Sequence, residues 1–70
     1  MLPLILADAD IPLTILKIGG TPALRQHLEN LGFTVGSTVC VVNSLAGNVI
    51  VKVKESRIAI NEDLARRIMV

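Results

Sequence analysis

The side chains able to do chemistry are few: one histidine, one cysteine, six carboxylates and seven Lys or Arg in 70 residues. His27 stands two positions before Glu29. On a helix that spacing sends the pair to different faces, which disfavours a shared metal ion. The plainer reading of His27 is a solvent-facing residue beside Arg25 and Gln26. Cys40 could act as a nucleophile only with a histidine base within hydrogen-bond reach. Nothing in the spacing brings His27 there. Asp8, Asp10, Glu62 and Asp63 carry the hard oxygens that a divalent cation takes, but they fall into two pairs at opposite ends of the chain with no third ligand set. A transition metal that takes mixed imidazole and carboxylate ligands would find no such set assembled by these residues. No catalytic residue, metal ligand or cofactor is therefore assigned.

Two further patterns resolve the same way. Gly19-Gly20 precedes a helix signal but lacks the lysine and hydroxyl of a phosphate loop. Lys52, Lys54 and Arg57 make a basic strip, yet nucleic-acid binding through such a strip needs aromatic platforms for the bases, and Phe33 is the sole aromatic residue. The strip reads as a solvated face, and no nucleic-acid partner is expected. Lack of Trp and Tyr also disfavours an aromatic-lined groove for polyproline peptides.

Seventy residues support one domain, spanning 1–70, with no room for a cleft between domains. The apolar fraction is 51% and almost wholly aliphatic, which favours strands and leaves aliphatic packing as the main source of stability. A lone cysteine excludes an intramolecular disulfide framework and fits a reducing cytoplasm. The apolar start lacks a basic n-region, carries Pro3 and meets Asp8 and Asp10 too early for a signal peptide. No run approaches the roughly 20 apolar residues of a spanning helix, so no membrane insertion is expected. With a formal net charge of +1 the chain carries no long-range field, and partners must be recognised by shape and local contact.

The elements that position these side chains are mostly strands. In Asn48-Val49-Ile50-Val51-Lys52-Val53-Lys54 the odd positions are all valine, the period-two signature of a strand with one buried face. The spacing predicts strands over 13–18, 38–43, 49–54, 57–60 and 67–70. Val39, Val41, Ile58 and Ile60 should point inward, and a hairpin loop should occupy 45–48. Thr21-Pro22 reads as an N-cap with proline at the first helical position, opening a helix over 22–31 with Leu24, Leu28 and Leu31 in one stripe. Gly32 should end it as a left-handed cap, with Phe33 folding back on the stripe. Asn61 should cap a single helical turn over 61–65. Residues 4–10 should form a bridge or turn that lays Leu4 and Leu6 over one end. The fold class is mainly β: a small SH3-like β-barrel of about five strands, with one helix between the first and second and a helical turn before the last.

The run His27-Leu28-Glu29-Asn30-Leu31-Gly32-Phe33, with Gly36, Val39, Val49, Val51, Val53, Arg57-Ile58-Ala59-Ile60, Ala65 and Ile68-Met69-Val70 after it, resembles the ferrous iron transport protein A family, FeoA. Its members are small cytoplasmic SH3-like domains that accompany the membrane GTPase FeoB in bacterial ferrous iron uptake. The same barrel ends iron-responsive regulators of the diphtheria toxin repressor type; a free-standing chain without a helix-turn-helix region points to the transport branch. One departure is the family's usual glycine after the first short motif, where this chain has Asp10-Ile11-Pro12.

The resemblance implies an adaptor, not an enzyme, that regulates or assembles FeoB by contact at the inner face of the membrane, with weak self-association left open. The residues assigned to partner contact are Arg25 and His27 on the polar helix face and Cys40, Val42 and Leu45 on an aliphatic outer surface that also includes Ile50. The alternatives are an iron-binding chaperone and an SH3-like domain related to iron-dependent transcription regulators.

Overall fold

The computed structural model describes residues Met1–Val70. Strand β1 covers Leu13–Thr14, β2 Lys17–Ile18, β3 Thr38–Leu45, β4 Asn48–Val53, β5 Ser56–Asn61 and β6 Ile68–Met69. Helix α1 is Pro22–Asn30, helix α2 is Glu62–Arg67, and a 3-10 turn spans Leu4–Leu6. The larger sheet runs β1-β3-β4-β5 and the smaller pairs β2 with β6, all antiparallel.

The count is six strands rather than five because the expected strand over 13–18 is split. Its first half pairs with β3 and its second half with β6. Between them Ile15 is fully buried and Leu16 half-exposed, so the chain crosses from one sheet to the other and plugs the corner with an isoleucine. One hydrogen-bonded cylinder does not close; two sheets share one core in an SH3-like arrangement.

All fourteen buried residues are apolar, and they form one cluster. Val49, Val51 and Val53 of β4 meet Val39 and Val41 of β3 and Ile60 of β5, as alternation predicts. Ile58 is half-buried and packs against that cluster. The amino terminus closes the second sheet: Leu2 and Val70 exchange backbone hydrogen bonds of 2.9 and 2.8 Å, and Pro3 bridges to Met69. Of the two leucines expected over the end of the barrel, Leu4 is fully buried but Leu6 is 71% exposed. A tight turn three residues long cannot aim both inward.

Helix α1 begins as its sequence dictates. The Thr21 hydroxyl accepts from the Leu24 amide at 3.2 Å, and Pro22 occupies the first turn. It ends in a two-bond cap: the Phe33 amide donates to the Leu28 carbonyl and the Gly32 amide to the Glu29 carbonyl, both at 2.9 Å. Gly32 has φ 106°, and Phe33 returns to lie with Leu28 in the core. Leu31 is the C-cap and packs against the core, while Leu24 is half-buried outside it. Helix α2 runs two residues further than the expected turn, capped by Asn61, whose side chain accepts from the Leu64 amide at 2.8 Å.

Asp10 adopts φ 65°, the left-handed conformation that a glycine would take without steric cost. Its amide donates to the Val41 carbonyl at 2.8 Å, so the bend is tied to β3. Asp tolerates this region better than most residues, so the bend forms here without a glycine.

Substitutions at these two positions should change stability according to whether the new residue tolerates a positive φ. A Cβ at Gly32 would lie 3.8 Å from Val53 Cγ1 and Lys54 Cδ, ordinary contact, so Gly32→Ala should lose about 1–2 kcal/mol in urea melts through φ strain alone. Asp10→Gly should stay within about 1 kcal/mol of the parent, because relief of strain offsets added freedom of the unfolded chain. Asp10→Val should lose about 1–2 kcal/mol. Equal midpoints for all three would contradict the left-handed assignments.

Candidate functional site

The proposed contact residues sit on three parts of the molecule. Arg25 and His27 are exposed on α1. Cys40 lies on the outer face of β3 directly opposite Lys52, half-buried, with only a weak 3.8 Å contact from its thiol to the Val41 carbonyl. Val42 occupies a β-bulge: Val41 pairs with Val51 and Asn43 with Ile50, leaving Val42 without an opposite residue.

That extra residue sets the facing of positions 43 to 45. Unbroken alternation from Val39 and Val41 would aim position 45 at the core. Beyond the bulge the parity reverses, so Leu45 pairs with Asn48 on the side of Asn43 and Ile50 and is 64% exposed. The sequence placed Leu45 in a loop. It ends β3 instead, and only Ala46 and Gly47, with φ 50° and 80°, form the connection, as a two-residue hairpin turn of mirror-image type requires. The outer face therefore carries Leu45, half-buried Ile50 and, opposite Ile50 on β5, exposed Ala59.

These residues do not converge on one spot. Gly32, just past α1, lies beside Val53 and Lys54 at one end of β4, whereas Leu45 pairs with Asn48 at the other. Five residue steps separate those ends, about 17 Å at strand rise. The carboxylates are also dispersed: Glu62 and Asp63 pair with Arg66 at 3.4 and 3.2 Å on the exposed face of α2. No three His, Cys, Asp or Glu side chains cluster closely enough to hold one metal ion.

A groove of about 400 Å³ is lined by Pro12, Ser37, Thr38, Cys40, Lys52 and Lys54. Sequence reasoning named the two lysines and the cysteine separately but missed Pro12, Ser37 and Thr38. Their contribution has no local signal, because the groove is built from three separated segments that meet only through pairing of β1, β3 and β4. No helix of the protein is long and apolar enough to cross a membrane.

The model of the FeoA domain family matches residues 3–70. The chain belongs to the FeoA family. A Methanocaldococcus jannaschii protein named "Putative Fe(2+) transport protein A" is 36% identical over 70 residues, covering 100% of this chain and 85% of that protein. The crystal structure of an iron uptake regulatory protein, FeoA, superposes with a TM-score of 0.86 at 33% identity, over 96% of this chain and 89% of the other. A manganese-dependent transcriptional repressor shares the fold, with a TM-score of 0.82 at 17% identity. This chain aligns over 94% of its own length with 38% of that protein.

Exposure makes the contact candidates clean probes. Alanine at Arg25, His27 or Leu45 should each shift unfolding free energy by less than about 0.5 kcal/mol. Leu28→Ala, in the core, should cost about 2–5 kcal/mol. Thermal and urea melts compare the four, and a large loss at any of the first three would show that it packs inward.

Proposed function

We propose that this chain is an accessory protein of ferrous iron transport, acting by contact on the cytoplasmic side of the membrane GTPase FeoB and tuning its cycle or assembly. The observation that carries the reading is the FeoA family match over residues 3–70. The names of the Methanocaldococcus jannaschii relative and of the FeoA crystal structure, iron(II) transport and iron uptake regulation, support the pathway. The surface offers aliphatic contact at Leu45, Val42 and Ile50 and polar contact at Arg25 and His27. These are separate surfaces, each suited to recognition by shape, with contact energy concentrated in a few residues. Cys40 borders the aliphatic one through its pairing with Lys52.

The partner need not share a metal ion with this chain for the contact to work. An iron chaperone would differ in binding Fe(II) stoichiometrically under anaerobic calorimetry, with binding lost in His27→Ala or Cys40→Ala.

The experiment is a pull-down of the cytoplasmic GTPase region of FeoB from the same genome, in each nucleotide state, by the tagged full-length chain. A complex is expected, weakened about tenfold or more by Leu45→Asp or by Arg25→Glu with His27→Glu. No complex with folded protein, in any nucleotide state, would overturn the contact reading. Undiminished capture by all variants would overturn the residue assignment.

A further inference from the structure

We propose that the groove between Pro12 and the outer face of β3 and β4 is a docking slot for an acidic peptide segment, whose carboxylates are held by Lys52 and Lys54. The proposal deepens the contact reading by naming the chemistry of what docks. Its volume of about 400 Å³ lies within the roughly 300–1,000 Å³ of small-ligand sites. No carboxylate lines it.

The charge is uncompensated where it matters. The protein's two ion pairs both belong to Arg66, so neither Lys52 nor Lys54 is paired, nor is Arg57, which lies across from Lys52 on the same outer face. A net charge of +1 conceals this local excess. Thr38 adds a hydroxyl that makes no hydrogen bond within the protein, whereas Ser37 already shares its hydroxyl with Thr34. Pro12 and the lysine stems give the slot apolar walls beneath charged rims.

The placement of the lysines favours a peptide over a compact anion. Lys52 stands on β4 and Lys54 in the left-handed turn residue just beyond it, so the two ammonium groups arise from separate stretches of backbone and offer two points of attachment to a ligand with several carboxylates. A single phosphate is held best by convergent donors, an arginine fork or a helix amino terminus. The groove lining supplies neither.

The test uses nitrogen-15 NMR of the full chain titrated with acetyl-Glu-Ala-Glu-Ala-Glu-amide, with its glutamine counterpart and, separately, with inorganic phosphate. Saturable shifts are expected at Thr38, Cys40, Lys52 and Lys54 with the acidic peptide alone. They should weaken with added salt and by about tenfold in K52Q/K54Q, whose remaining spectrum should match the parent. Single variants K52Q and K54Q repeat the comparison if the double variant misfolds. Absence of saturation, shifts scattered over other basic residues and indifferent to the variants, or phosphate binding as tightly as the peptide would each overturn the proposal. Because no transporter enters this titration, its failure is separable from failure of the pull-down.

Discussion

The structure depends on β4, because that strand alone of the larger sheet is paired along its full length on both sides. Its three valines enter the core, and its intervening residues, Asn48, Ile50 and Lys52, set the character of the outer face. A strand of this kind ties stability and surface together through a period of two. A slip of one residue would bury Lys52 and expose the valines, so the register is strongly specified. The short connections on either side, Ala46-Gly47 and Lys54-Glu55, hold that register from both ends.

Against this rigid frame, the bulge at Val42 redistributes surface. It lets β3 be both a core strand, through Val39 and Val41, and the bearer of an exposed leucine at its end. Without the extra residue Leu45 would compete for core space that Val49 and Ile60 already fill. A bulge is therefore the local means by which an aliphatic sequence keeps one large apolar side chain on the surface. The basic groove lies further along the same outer face, toward the β4–β5 turn, so aliphatic and cationic contact chemistry are laid out in series along one hairpin.

Fold and function separate cleanly. The arrangement recurs in a manganese-dependent transcriptional repressor at 17% identity, where the likeness concerns fold alone. The barrel is a support whose use is decided by what decorates it. Membership of the FeoA family rests instead on a match along nearly the whole chain and on relatives at 33% and 36% identity.

Elements governed by local rules were legible from residue order. Thr21-Pro22 opened α1, Gly32 with Phe33 closed it, Asn61 capped α2, and alternation in β4 named its core face. Capping and alternation act between residues a few positions apart, so their evidence is contiguous. The split of 13–18 between two sheets, the outward turn of Leu6, the parity change at Val42 and the assembly of the groove became fixed in the folded molecule. Each of these is settled by pairing between segments distant along the chain. Leucine, valine and isoleucine fit either face of a strand until a partner strand fixes which one is buried.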